Sequence, residues 1–323
     1  MHATATAPPN IALIKYWGKR DVARNLPAVG SISVTLADLA TKMRVTFDDE
    51  LAHDVLTVNG DANDSMLPRI SRCITAVAGE QRRSARIESQ CNFPIAAGLA
   101  SSASAFAATV IASASASGQT LDKSELANLA GRASGSAARS LFGGFVELTN
   151  RGNAVAVETI KAASQWPLEV VIAITETGAK PVSSGDAMEL SRKTSPFYEC
   201  WVLDQDQDLQ VARAAINESD FEKLAAISEH NCLKMHSVMW ASRPPIVYWN
   251  AATIDCLQRI RDLRAKGTEV FFTIDAGPQV KAVCSANAAT QVRDALADVD
   301  GVVRTMTSGL GDGAKLVEPG CAS

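Results

Sequence analysis

The sequence predicts an α+β protein, and three observations carry that assignment. The first sixty residues read as a β-meander. The second half is dominated by helical periodicity. Strands and helices mix along the chain without the strict alternation of a parallel α/β sheet. At 323 residues the chain is long for one hydrophobic core. Two domains are expected, residues 1–180 and 181–323, divided in the polar stretch Glu176 to Gly185.

The elements follow in order. Asn10 to Tyr16 is apolar and β-branched, and Ser31 to Leu36 and Lys42 to Phe47 alternate with period two, so all three read as strands. Asp54 to Val58 runs into Asn59-Gly60, the dipeptide of a tight hairpin. A helix is predicted at Leu67 to Ala78 and a strand at Ala85 to Ser89. From Ala96 to Gly118 nearly every residue is Ala, Ser or Gly. Leu99, Phe106, Val110 and Ile111 recur there near helical spacing, so this is a close-packing helix and not a linker. Asp122 with Glu125 forms a capping-box pattern for the next helix. Strands return at Phe145 to Leu148, Ala154 to Ile160 and Leu168 to Thr175.

In the second half, Ser219 with Glu222 suggests a capping box before Phe221, Leu224 and Ala225. Ile254, Leu257 and Ile260 mark a helix stopped by Gly267. Glu269 to Ile274 reads as a buried strand paired with Val280 to Cys284 across the turn at Gly277-Pro278. A helix near Thr290 to Leu296 and a strand near Val302 to Thr307 complete the set.

The formal net charge is -4, with no run of basic residues, so no nucleic-acid partner is expected. Seven cysteines, an odd number without metal or redox spacing, read as free buried thiols. The start MHATATAPPN lacks the pattern of a signal peptide, and no apolar stretch reaches membrane-spanning length. A cytoplasmic protein with no membrane partner is expected.

Four segments could carry chemistry. Pro94 to Ser104 places Gly98 and then Ser101 and Ser102 at a helix start, where free N–H groups and hydroxyls suit a phosphate. A plain serine cap on a packing helix gives the same pattern. Ser134 to Gly144 sets Arg139 among small residues, a fork for a carboxylate or phosphate, or else a helix-end arginine on carbonyls. Asp275 ends an apolar strand before Ala276-Gly277-Pro278, as a turn cap or as a rigidly aimed catalytic carboxylate. Lys15 and Lys19 flank Tyr16, Trp17 and Gly18, either clamping a polyanion or snorkelling from a strand end. Among the histidines only His236, within a helix, invites attention.

Taken in order, NIALIKYWGKRD, LPAVGSISVTL, NFPIAAGLASSAS, SGSAARSLFGG and TIDAGP resemble the diphosphomevalonate decarboxylase family of the GHMP superfamily of small-molecule kinases. VSSGDAM, SPFYECW and MHSVMWASRPPIVYW extend the resemblance over nearly the whole chain. It implies a two-domain GHMP-kinase-like fold with the active site in the cleft between the domains. The implied reaction is phosphorylation of the 3-hydroxyl of 5-diphosphomevalonate by ATP with Mg2+, then loss of phosphate and carbon dioxide to give isopentenyl diphosphate. A homodimer is implied as well.

By the same resemblance Asp275, Arg139, Lys15 and Ser102 are catalytic. Tyr16, Trp17, Gly18, Lys19, Arg69, Ser134, Gly135, Ser136, Ala137, Ala138, Arg139 and Gly185 bind the substrate. Asn92, Gly98, Ala100, Ser101, Ser102 and Ser104 bind ATP, and Ser101 is the candidate magnesium ligand. Family members usually carry Asn-Ser where this chain has Val29-Gly30, so a polar contact near the substrate is expected to be missing; they also carry a cysteine at Ala138, a harmless change, and at Gly185 often a side chain that reaches the substrate. A pure GHMP kinase, a decarboxylase of a monophosphate and a non-catalytic phosphate-binding protein remain as alternatives.

Overall fold

The computed structural model describes residues 1–94, 101–178 and 181–318. The chain opens with β1 (His2–Ala7), β2 (Asn10–Ile14), the short pair β3 (Lys19–Asp21) and β4 (Leu26–Pro27), then β5 (Ser31–Thr35), β6 (Thr41–Phe47), β7 (Val55–Val58) and β8 (Asp61–Ala62). Next come α1 (Leu67–Ala78), β9 (Ala85–Cys91), α2 (Ser101–Ser117), α3 (Lys123–Ala133), α4 (Ala137–Ser140), β10 (Phe145–Arg151), β11 (Ala154–Lys161) and β12 (Leu168–Ile174). The rest is α5 (Ser184–Thr194), α6 (Tyr198–Glu218), α7 (Phe221–Trp240), α8 (Ala251–Ala265), β13 (Val270–Ile274), β14 (Val280–Ser285), α9 (Ala289–Ala297), β15 (Arg304–Gly309) and β16 (Lys315–Glu318). The mixture is α+β, as expected.

Among the described residues three larger sheets form beside the two-stranded β3-β4 pair, ordered β16-β1-β6-β9-β7-β8, β11-β10-β5-β2 and β13-β14-β12-β15. The first is antiparallel except where β7 runs parallel to β9. Its β7–β8 hairpin turns at Asn59 (φ 52°) and Gly60 (φ 96°), two successive positive angles that the Asn-Gly signal anticipates. Helix α2 lies across β1 and β6. Small residues meet there from both sides, Ala103 and Ala107 from the helix and Ala3, Ala5 and Ala7 from the strand. That is why a low-complexity stretch forms a core helix. Residues 96–100 of its expected span lie outside the described residues.

The third sheet is buried on both faces. Leu168, Val170 and Ile172 of β12 join Phe271 and Val283 against α6 and α7, while Val171, Ala173, Phe272 and Ala282 face α8 and α9. Continuous apolar runs are the expected sequence of such strands. The first of these cores also holds Ile11, Leu13 and Ile32 of the second sheet, so the two sheets share one interior. Two connections cross the middle of the sequence: β12 pairs with β14 and β15, and β16 returns to β1.

Most elements lie where the pattern predicts, with clear exceptions. Ser219 does not cap α7. It adopts a left-handed conformation (φ 55°) that ends α6, and Asp220 accepts from the Lys223 N–H instead. The sequence offers Ser and Asp side by side, and the hydroxyl pattern points to the wrong one. Strand β1 goes unread because its alternating Ala and Thr carry little hydrophobic signal. Of the described cysteines, all free, Cys200 is exposed rather than buried.

Candidate active site

A cleft of about 660 Å³ opens where the end of β2, the first turn of α1, the Ser101 end of α2, α4 and the end of β13 converge. Lys15, Lys19, Arg69, Arg72, Arg132 and Arg139 line it, against a single carboxylate, Asp275. A protein of net charge -4 thus gathers positive charge in one hollow. Among the described residues none of Lys19, Arg69, Arg72, Arg132 and Arg139 is ion-paired. Such a surface is built to meet an anion.

Asp275 sits where β13 ends. Lys15 Nζ donates to its Oδ1 at 2.7 Å and to the Ala12 carbonyl at 2.8 Å. Lys281 Nζ lies 3.4 Å from Oδ2. Burial works to raise the pKa of Asp275, but the two ammonium groups prevail and hold it well below the ordinary carboxylate range. Lys15 is 1% exposed, which removes the snorkelling alternative. Its backbone is gripped from both sides. Asn231 Oδ1 accepts from the Lys15 N–H at 2.7 Å, and Gln205 Nε2 donates to the Lys15 carbonyl at 2.8 Å.

Arg139 is buried yet faces the cleft. Its guanidinium donates to Ser33 Oγ at 3.0 Å, to Ser31 Oγ, and to Asn10 Oδ1 at 3.2 Å, all neutral acceptors. Burial pushes it down from its usual basicity, and Asp275 and Tyr16 partly offset that. A buried guanidinium without a carboxylate partner is half of an ion pair. Ser102 and Ser134 bring their hydroxyls within 3.3 Å of each other at the cleft wall. Among the described residues three buried polar atoms of the lining have no hydrogen-bond partner: Asp275 Oδ2, with the Lys281 ammonium nearby, and the donors Tyr16 OH and Trp17 Nε1, which suit an acceptor on a ligand. The Tyr16 ring lies over Gly135, where a Cβ would come within 2.6 Å of Cζ.

Of the sequence-predicted site residues, the cleft brings together Lys15, Tyr16, Trp17, Lys19, Arg69, Ser102, Ser134, Gly135, Ser136, Arg139, Gly185 and Asp275. Six others do not line it. Gly18 (φ 95°) has its α-carbon covered by the Tyr198 hydroxyl. Ala137 and Ala138 pack in the core under α2. Ser104 is buried against Thr41 at 2.7 Å, Asn92 ties down residues 38–40, and Ser101 opens α2. Gly98 and Ala100 lie outside the described residues. The Val29-Gly30 departure also falls outside the lining. Val29 packs in an aromatic cluster, and a Cβ on Gly30 would sit 2.7 Å from Leu209 Cδ1.

Sequence reasoning passed over Asn10, Arg72, Arg132, Ser31 and Ser33 as site residues. Arg72 had a usable signal, since it lies three residues after Arg69 on one helix face. Ser31 and Ser33 had none, because only the strand pairing brings them under Arg139.

The chain is similar to known proteins over most of its length. A family model described as the diphosphomevalonate decarboxylase-like N-terminal domain matches residues 7–158. One described as the mevalonate 5-diphosphate decarboxylase C-terminal domain matches residues 170–310. The diphosphomevalonate decarboxylase of Candida albicans is 36% identical over 298 residues, spanning 85% of this chain and 82% of that protein. The crystal structure of mevalonate diphosphate decarboxylase from Staphylococcus aureus superposes with a TM-score of 0.92 at 36% identity, covering 98% of each chain. A structure described as MDDEF in complex with MVAPP, AMPPCP and magnesium gives a TM-score of 0.91 at 34% identity, covering 98% of this chain and 99% of that one.

Proposed function

The chain belongs to the diphosphomevalonate decarboxylase family, and on that premise we propose how its cleft residues divide the work. Its reaction is the ATP-dependent decarboxylation of (R)-5-diphosphomevalonate to isopentenyl diphosphate, with release of ADP, phosphate and carbon dioxide. The fold is the two-domain GHMP-kinase-like fold. The observation that carries the assignment of roles is a lone carboxylate, held ionised by two lysines, in an otherwise cationic cleft.

The tertiary 3-hydroxyl takes the γ-phosphoryl group of ATP. Transfer of this kind passes through a loose transition state that asks for positioning and charge neutralisation more than for a strong base. Asp275, so acidic here, is a weak proton acceptor. It is assigned to orient the hydroxyl and then to face the positive charge that grows on C3 as phosphate departs. Arg139 is assigned the substrate carboxylate, whose carbon–carbon bond electrons form the new double bond as carbon dioxide leaves. Lys15, beside Asp275, is assigned the transferring phosphate.

Lys19 and Arg69, joined by Arg72 and Arg132, are assigned the diphosphate. Burial and the neighbouring Arg69 lower the basicity of Lys19, a strain that a dianion would relieve. Tyr16, Trp17, Ser134, Gly135, Ser136 and Gly185 shape the substrate side, and Gly18, Ala137 and Ala138 are assigned a supporting place behind them. On the nucleotide side Ser101 and Ser102, with Gly98 and Ala100, are assigned the ATP phosphates, and Ser104 and Asn92, engaged with Thr41 and with residues 38–40, are assigned supporting roles. When bound, Mg2+ screens the phosphate charge and polarises the transferring group. The hydroxyls of Ser101 and Ser102 fit its preference for hard oxygen donors, and among the described residues no cluster of His, Cys, Asp or Glu competes for it.

Residues 1–180 are proposed as the ATP-binding domain and 181–323 as the second domain, with β12 and β16 crossing between their sheets. A homodimer and a cytoplasmic location complete the proposal. No helix among the described residues is long and apolar enough to cross a membrane. The test supplies ATP, magnesium and 5-diphosphomevalonate and follows carbon dioxide and isopentenyl diphosphate. ADP without carbon dioxide would mark a pure kinase, and ligand binding without turnover would mark a phosphate-binding protein.

A further inference from the structure

Lys281 stands apart from the residues so far given roles. It lies on β14, opposite Thr273 in the ladder, and is fully buried. It does not line the cleft, yet its Nζ reaches the Oδ2 side of Asp275 while Lys15 holds Oδ1. One carboxylate thus has two buried ammonium groups. A single lysine at 2.7 Å suffices to pair it, and withdrawing a second ammonium from water is costly. The pairing of Asp275 by itself does not call for the second.

The chemistry does. Lys15 spends two of its three ammonium donors on Asp275 and the Ala12 carbonyl, so a transferring phosphate, with the greater charge, draws Nζ away from Asp275 as it engages it. Without another cation, Asp275 would then be a buried, unpaired carboxylate, and such a group takes up a proton. A protonated Asp275 could not face a cation forming on C3. The other groups around Asp275 do not replace a lost lysine. Arg139 is held by Ser31, Ser33 and Asn10. On α7, burial pushes His236 down to about 3 and the Cys232 thiol upward, so both are neutral at pH 7.

We propose that Lys281 is a positioning residue, the standing counter-ion that keeps Asp275 charged and aimed while Lys15 changes partner from carboxylate to phosphate. The idea rests on the decarboxylase reading and adds to it a division of labour between two lysines that look equivalent around one carboxylate.

The test measures kcat and KM from pH 6 to pH 9 for the wild type, Lys281→Met and Lys281→Gln, with ATP, magnesium and 5-diphosphomevalonate. Both variants are expected to keep KM within about threefold. They should lose about tenfold or more in kcat between pH 8 and pH 6, where the wild type stays nearly flat. Lys281→Gln, which keeps a polar group in place, covers the case that Lys281→Met does not fold. A loss of kcat of the same factor at every pH, or no loss at all, would overturn the role of Lys281 and leave the decarboxylase reading intact. Absence of carbon dioxide release by the wild type would overturn both.

Discussion

At Asp275 two demands meet: a carboxylate must stay ionised in a place that burial makes hostile to charge, and it must remain open to a substrate. The lysines satisfy the first, and a side chain 24% exposed satisfies the second. Because its folded pKa lies below the ordinary value, the stability it contributes is full above the ordinary carboxylate range. That stability is lost only as pH falls below it. Wild-type turnover should therefore show no limb from Asp275 between pH 5 and pH 8. Asp275→Ala should lower kcat by about 10²–10³-fold or more, with KM changed by less than about threefold. Steady-state kinetics with a thermal melt will separate this from unfolding, since the variant leaves two buried ammonium groups without their carboxylate. His236 behaves in the opposite sense to an ion-paired histidine. Buried, with Nε2 3.2 Å from the Ile274 carbonyl, it is neutral and held down to about 3. The unfolded chain binds its proton first, so this residue should subtract stability as pH falls from about 6.5 towards 3. By pH 5 the loss is about 2 kcal/mol. Urea midpoints at pH 7 and pH 5 should lose most of that difference in His236→Gln. If the pH slope is unchanged, His236 is not the group. Asp275 was legible in the sequence as a strand-end carboxylate. Lys281 was not, because nothing in a run of residues says which strand neighbour points at which charge.

Helices α6 and α7 act together as a clamp on the segment after β2. Asn231 accepts from the Lys15 N–H and donates to Gln205 Oε1 at 2.9 Å and to Asp208 Oδ2 at 2.7 Å. Lys234 closes the network on Asp208 at 2.9 Å. Asn231→Leu would strip the partner from a buried N–H and leave the two acceptors to their own solvation. A cost of about 1–3 kcal/mol is expected. Lys15 would lose its anchor, so kcat should fall by about tenfold, since small misplacements of catalytic groups are expensive. Urea denaturation and kinetics on the same preparation check both halves, and wild-type kcat in a destabilised variant would refute the clamp. These helices also show why elements differ in legibility. The Asp122–Glu125 box reads directly because both halves of the pattern are local, and both hydrogen bonds form at 2.8 Å. Helix α6 hides its period, because Gln205 and Asp208 are buried for their hydrogen bonds while Leu203 is 79% exposed. Local signals predict local partners, and buried polar networks answer to residues hundreds of positions away.

Across the whole molecule the charge distribution matters more than its sum. A chain of net charge -4 that collects six cations around one cleft should draw its polyanionic substrates by long-range attraction, and salt weakens that attraction. Raising ionic strength from about 0.05 M to about 0.5 M should raise KM for 5-diphosphomevalonate several-fold, on the order of threefold to tenfold, with kcat nearly constant. A titration with KCl measures it, and a KM insensitive to salt would place the diphosphate away from Lys19, Arg69, Arg72 and Arg132. Composition alone argued against a basic face, but it averages away a hollow of this size. The motifs found Lys15, Arg139 and Asp275, the three ends of the triangle, because each stands beside glycine, serine or a strand end. They missed Arg72 and Arg132, which lie on ordinary helix surfaces until α1 and α3 are packed side by side.

The pairing of β16 with β1 has a mechanical meaning. Thr4 lies opposite Glu318 and Thr6 opposite Lys315, so the two strands run antiparallel with the outer ends of both on the same side. A pull applied between residues 2 and 318 would strain these hydrogen bonds one after another, like a zipper, instead of loading them together in shear. The first event under tension would be the peeling of β16, far from Asp275, so an enzyme tethered by both ends should yield at its seam while its catalytic hollow is still whole.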